Sequence, residues 1–261
     1  MLSIISPAKK LDFSRVSIQN NLTTPLFNTE ALSLVSIAAR LSKKELGKLM
    51  SISDNLADLN YERFQKFKKE PTEINTKPAA LAFNGDTYIG LQPQKFSKQD
   101  FDFAQDNLRI LSGLYGLLRP LDNIQPYRLE MGSALKNPSG KNLYDYWSKL
   151  ISDKIAAELA EKNSNSILNL ASVEYSKVVD KKIINATIIT PQFLEESESK
   201  LKNISFFSKK ARGSMAKFVI QNRIENPSEI RAFNLENYVY RYELSTTEKP
   251  TFTRKTALKK S

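Results

Sequence analysis

The chain has 261 residues, 41% apolar and 10% aromatic, enough to bury a sizeable core, and no run approaches the roughly 20 apolar positions needed to cross a bilayer. Cysteine and histidine are both absent. This excludes disulfides, thiolate nucleophiles, Ser-His triads, His-based zinc or iron sites and sulfenic-acid peroxidases, and leaves chemistry to Asp, Glu, Lys, Tyr, Ser and Thr or to an oxygen-ligated Mg²⁺ or Ca²⁺. The formal charge of +11, from 39 basic against 28 acidic residues, favours a polyanionic partner, because bound cations release counterions condensed on phosphate.

Met1 to Lys10 reads as a short buried strand over 2–5 and a loop, without the basic segment, apolar run or cleavage site of a secretory signal, so the expected compartment is the cytoplasm. Apolar spacing then predicts helices over 29–41, 43–50 and 54–69, the second opened by a capping box of Ser42 and Glu45. Residues 79–83 and 87–91 read as strands joined by a tight turn at Asn84-Gly85-Asp86, since Asn and Gly tolerate positive φ. Ser97 and Asp100 open a helix over 98–112, for which Gly113 is the expected C-cap and Gly116 a turn residue.

A helix over 142–162 follows, then strands over 166–171, 183–190 and 202–207. Further on come a helix over 208–224, a short one near 227–231 opened by Asn226-Pro227, and strands over 237–244 and 250–254. Lys249 to Ser261, with five basic residues and no acid, is expected to fray as a mobile tail. No repeat, low-complexity tract or Gly/Ser linker divides the chain. The reading is one mixed α/β (α+β) domain over 1–248, with a basic tail over 249–261.

Three segments carry candidate chemistry. Leu49 to Ala57 lies between two amphipathic helices and resembles the helix-hairpin-helix consensus, in which a hairpin and the next helix start aim backbone N–H groups at a phosphate. Ile52 is the expected packing residue, Ala57 the small residue under the second helix, and Ser51 and Ser53 stand where glycines are usual. Lys43, Lys44 and Lys48 flank the turn.

In the second, Ser205 to Gly213, Ser208 reads as the N-cap of a helix whose first turn holds Lys209, Lys210 and Arg212. Cations oppose the helix dipole there, so this reads as a phosphate cradle, with Ala211, Met215, Phe218 and Val219 facing the core. The third is the Pro- and Gly-rich stretch from Arg109 through Arg119 and Arg128 to Gly132. It could share a cleft with Ser6 to Asp12 and Asn169 to Tyr175, which leave strands at the ends where α/β folds collect ligands.

Together these segments resemble the YaaA family of bacterial peroxide-stress proteins. The resemblance rests on Ile5-Ser6-Pro7-Ala8-Lys9 with Leu11-Asp12-Phe13, on Ile52-Ser53-Asp54, and on Phe83-Asn84-Gly85-Asp86-Thr87-Tyr88. It continues in Leu111-Ser112-Gly113-Leu114-Tyr115-Gly116, Pro126-Tyr127-Arg128-Leu129-Glu130-Met131-Gly132, Asn169-Leu170-Ala171-Ser172 and Lys209-Lys210-Ala211-Arg212-Gly213. It implies a mixed α/β fold of unusual topology with an embedded helix-hairpin-helix over about 43–69. It also implies DNA binding and a role in limiting hydroxyl-radical damage, linked to control of intracellular iron.

The expected partner is double-stranded or structured DNA, with no membrane, no cofactor and no metal. Candidate DNA contacts are Lys44, Lys48, Ser51, Ile52 and Ser53 in the hairpin, Arg119 and Arg128 in the loop, and Ser208, Lys209, Lys210 and Arg212 on the later helix. The alternative is an enzyme acting on nucleic acid, with Lys9 or Lys210 as nucleophile and Asp12 or Glu130 as acid/base partner.

Overall fold

The computed structural model describes every residue except 17, 73, 198–199 and 256–261. In chain order, β1 (Leu2–Ile5), α1 (Asn28–Ala38), α2 (Lys43–Met50) and α3 (Asp54–Gln65) lead to β2 (Lys77–Pro78), α4 (Ala79–Ala82), α5 (Asp86–Leu91) and α6 (Lys98–Asn107). Then come β3 (Leu108–Ser112), β4 (Gly116–Leu118), β5 (Asn123–Ile124), α7 (Leu143–Glu161), β6 (Ser166–Leu170) and α8 (Val173–Ser176). The chain continues through β7 (Thr187–Ile189), β8 (Gln192–Ser197), β9 (Lys200–Lys202), α9 (Ser205–Gln221), β10 (Val239–Tyr240) and β11 (Thr251–Lys255).

The fold is mixed α/β. One sheet has the order β4-β3-β1-β6-β7, with β1 parallel to both β3 and β6; a second has the order β10-β11-β8-β9; β2 and β5 form a short pair. All residues of β1, β3 and β6 are buried, as expected of parallel strands covered on both faces. Helix α9 packs against both larger sheets and crosses α5 with backbone against backbone at Gly90 and Gly213. Among the described residues no helix is long and apolar enough to cross a membrane.

Several expected elements change. The segment 79–91 is two short helices rather than a β-hairpin. Gly85 has φ −153 and serves as N-cap of α5, so the positive φ that a tight hairpin turn needs is absent, and Thr87, Tyr88 and Leu91 are buried at helical spacing. The helix expected over 98–112 stops at Asn107, where Leu108 turns extended (φ −120, ψ 136) and β3 begins. A fully buried parallel strand is a continuous apolar run that periodicity cannot tell from a buried helix. Gly113 therefore follows a strand rather than capping a helix, while Gly116 does take positive φ, at +68.

Residues 202–207 are not one strand: β9 ends at Lys202 and α9 starts at Ser205. The strand expected over 237–244 shrinks to Val239–Tyr240 flanked by 3₁₀ turns, and β8 arises where none was expected. Part of the expected tail is built in, since β11 pairs in parallel with β8 and Phe252 is fully buried. Residues 256–261 of that tail lie outside the described residues. The capping boxes at Ser42 and Ser97 and the Asn226 cap form as expected.

Candidate nucleic-acid interface

The central strand β1 has its sequence neighbour β3 on one side and the much later β6 on the other, so strand order reverses at the ends of β1 and β6. Open α/β sheets bind ligands in the crevice that such a reversal leaves. Ser6 leaves β1 here, and Ser172 stands two residues beyond β6. Ser6 Oγ accepts the Ser172 N–H at 2.8 Å and donates to Ser172 Oγ at 3.3 Å. The loops at 6–12 and 169–175 therefore meet, around a cavity of about 320 Å³.

Lys9, Lys10, Lys209 and Arg212 line this cavity against Asp86 and Glu174, so cations outnumber anions. Arg212 is the most telling. It is partly buried, burial pulls its guanidinium below the ordinary value, and no carboxylate pairs with it among the described residues. A desolvated cation without a counter-ion is costly unless an anion joins it. Lys209 is exposed beside it. Lys210 points elsewhere, 3.3 Å from Glu236 Oε2.

The cradle expected at Ser208 does not form. Helix α9 opens three residues earlier, with Ile204 as N-cap, and Ser208 is 4% exposed, its hydroxyl placed on Phe193 O and Asn203 Oδ1. The cations thus belong to the second turn, and what recruits Lys209 and Arg212 is the crevice rather than the helix dipole. The expected apolar face of Ala211, Met215 and Val219 is buried.

A strip of basic groups leads from the crevice to the last turn of α3. Lys9 Nζ lies 3.5 Å from Glu130 Oε1, and the same oxygen receives Arg128 Nη2 at 2.9 Å. Glu130 Oε2 is buried with no hydrogen-bond partner among the described residues. Next comes Arg63 on α3, partly buried and likewise without a carboxylate partner among the described residues. Burial, then the neighbouring Arg128, lower its guanidinium from the ordinary value, and it donates to Asn60 Oδ1 at 3.1 Å.

At the hairpin, α2 ends on Ser51 in the left-handed region (φ 51, ψ 53), the conformation for which glycine is the usual choice. Ile52 packs partly buried against the core, Ala57 is 2% exposed, and Gly47 faces the Ala57 methyl. Ser53 is the N-cap of α3 but its side chain makes no capping bond, which leaves the first N–H groups of that helix to other acceptors. Lys43 bridges to Asp58 at 3.1 Å, while Lys44 and Lys48 are exposed.

Other sequence candidates lie apart. Arg119 binds the fully buried Asp122 through Nε and Nη2 (3.1 and 2.8 Å) and Thr24 O at 3.0 Å, an internal brace for its loop. Arg109 is buried in a 2.8 Å pair with Glu158. Asp12 lines a different cavity and faces Lys77, 3.7 Å away, so it is not brought to Lys9 or Lys210. Lys9, at 67% side-chain exposure, and Lys210, tied to Glu236, both lack the apolar setting a lysine nucleophile needs.

Arg63 escaped the sequence reading, although one signal was present: no acid stands three or four residues from it on α3, and the same holds for Arg212 on α9. A sequence model of the family described as peroxide stress protein YaaA matches residues 1–244. The chain belongs to the YaaA family. That membership makes it a peroxide stress protein, and the match runs from β1 into the 3₁₀ turn after β10, so crevice, basic strip and hairpin all fall within the family's span.

Proposed function

We propose that this YaaA-family chain binds double-stranded or structured DNA, the hairpin of α2 and α3 seating one backbone phosphate and the basic strip following the strand towards the crevice. The observation that supports it most is the pair Arg63 and Arg212, each partly buried and without a carboxylate among the described residues, at the two ends of the strip. The left-handed turn at Ser51 and the uncapped N–H groups at the start of α3 support reading α2 and α3 as a helix-hairpin-helix. Ferrous ions condensed on DNA phosphate would each give one electron to hydrogen peroxide, breaking its O–O bond to hydroxide and hydroxyl radical at the strand and leaving ferric ion. A protein that occupies those phosphates displaces the cations, which joins DNA protection to the control of iron.

Duplex affinity measured across salt concentrations tests this reading. Each phosphate contact contributes about 0.9 to the negative slope of log affinity against log salt. Arg63→Gln should weaken binding and reduce the slope by about one unit, and Ile52→Asp should abolish binding in a variant whose circular dichroism stays native. No binding of the wild type at low salt, or a flat salt dependence, refutes the reading; normal affinity in folded Ile52→Asp removes the hairpin from it.

A further inference from the structure

The crevice differs from the rest of the basic strip in being recessed. Its volume of about 320 Å³ is at the lower end of the ~300–1,000 Å³ usual for small-molecule sites and far too small to admit a duplex. Arg212, on its wall, is partly buried. Recessed there, the guanidinium gains a stronger, water-poor interaction with an anion small enough to enter.

The remaining groups suit one phosphorylated nucleoside. Ser6 Oγ already donates to Ser172 Oγ and accepts the Ser172 N–H, so the Ser172 hydroxyl keeps its own proton for an incoming acceptor. Lys209 stands at the rim as a second cation. The walls also contain Leu170 and Tyr175, both buried and apolar in body, and the carboxylate of Asp86, which has no cationic partner among the described residues. A phosphate, an apolar ring system and donor groups on that ring thus each find a counterpart within one cavity.

We propose that the crevice between the ends of β1 and β6 is a binding site for the phosphate and base of a single nucleotide, with Arg212 and Lys209 on the phosphate and the Ser172 hydroxyl donating to it. The site stands on its own geometry and does not require the hairpin to hold DNA. Its nucleotide comes either from solution, as a nucleoside monophosphate, or from a strand whose end or unpaired residue reaches the cavity. The recognising chemistry is the same in both.

The test is isothermal titration of the full-length chain with deoxyadenosine 5′-monophosphate, with deoxyadenosine as the control lacking phosphate. The expected result is saturable one-to-one binding of the monophosphate with Kd below about 1 mM, and no binding of the nucleoside. Arg212→Gln should weaken the monophosphate at least tenfold, about 1.4 kcal/mol, and Arg63→Gln should leave it unchanged. The Arg212 side chain makes no hydrogen bond or ion pair with the described residues, so its variant should fold, as circular dichroism will check; Arg212→Lys should retain part of the affinity.

Saturating monophosphate is then added to a titration with a single-stranded oligonucleotide. Competition identifies the strand as the source, and unchanged oligonucleotide affinity identifies the free nucleotide. The proposal is overturned by absence of saturable binding up to about 10 mM, a range reaching well beyond useful affinity, by equal binding of the nucleoside, or by an unchanged Kd in folded Arg212→Gln. Because the titration contains no DNA duplex, its failure is separate from failure of the DNA-binding reading.

Discussion

Gly213→Ala and Gly47→Ala are the same change in the interior of two helices, and the structure predicts opposite signs for them. On intrinsic propensity each should gain about 1 kcal/mol, because alanine loses less backbone entropy than glycine in a helix. At Gly47 the new methyl would lie 3.5 Å from the Ala57 methyl and 3.7 Å from Ile52 O, ordinary contact, so the gain survives. At Gly213 it would fall deep inside contact distance of the Thr87 carbonyl oxygen and 2.8 Å from the Leu91 nitrogen, both backbone atoms that cannot rotate away. Helix α5 would have to move off α9, unloading the buried Thr87, Tyr88 and Leu91.

Overpacking of this kind costs about 1–3 kcal/mol or more, and two backbone atoms in the way argue for the upper end. Net of propensity, the loss should be about 2 kcal/mol, or a fall in Tm of roughly 4–8 °C at ~2–4 °C per kcal/mol for a chain near this size. Gly47→Ala should raise Tm by roughly 2–4 °C. Differential scanning calorimetry on both variants decides the matter. The crevice provides a second readout, since α5 and α9 supply Asp86, Thr87, Lys209 and Arg212 to it: nucleotide affinity should fall in Gly213→Ala and hold in Gly47→Ala. A Gly213→Ala protein as stable as Gly47→Ala would refute the claim that backbone contact at Gly213 holds the two helices at their present separation.

Glu158→Gln should destabilise the fold by about 3–5 kcal/mol, the usual cost of removing one partner from a buried ion pair, because Arg109 and Glu158 are each 6% exposed at the side chain. Urea denaturation should find the double change to methionine at both positions less damaging than the single one, and equal stability of Glu158→Gln and wild type would contradict the burial argument. The α2 cap makes a pH prediction. The hydroxyl and N–H of Ser42 hold the Glu45 carboxylate below its ordinary 4.5, so its contribution is fully present above pH 4.5 and is lost as pH falls through the depressed folded value. The Tm difference between wild type and Glu45→Gln should therefore shrink on acidification from pH 6 towards about pH 3; a difference that grows would reverse the sign assigned to the cap.

Features that depend on neighbours along the chain could be read from residue order alone. The caps at Ser42, Ser97 and Asn226, the limits of α2 and α7 to within a residue or so, the left-handed turn residue Gly116 and the mixed fold class all follow from local hydrogen-bonding capacity and periodicity. The family, too, was legible in the motifs. Tertiary structure decided the rest. Residues 108–112 are a strand because β1 is there to accept their hydrogen bonds, and 86–91 a helix that α9 meets closely at Gly90 and Gly213. Ser208 is buried because α9 begins a turn earlier to reach β8.

The same division runs through the site. Lys209, Lys210 and Arg212 are close neighbours in the sequence, yet only packing sends Lys210 to Glu236 and leaves Arg212 facing the crevice without a carboxylate among the described residues. Arg119 and Arg128 read alike as loop arginines, and their fates were set by which acid the fold placed within reach, Asp122 for one and Glu130 for the other. Lys210 likewise has no acid three or four residues away, yet it finds Glu236 far along the chain, so the local signal shared by Arg63 and Arg212 could not by itself separate braced cations from those left open to a ligand.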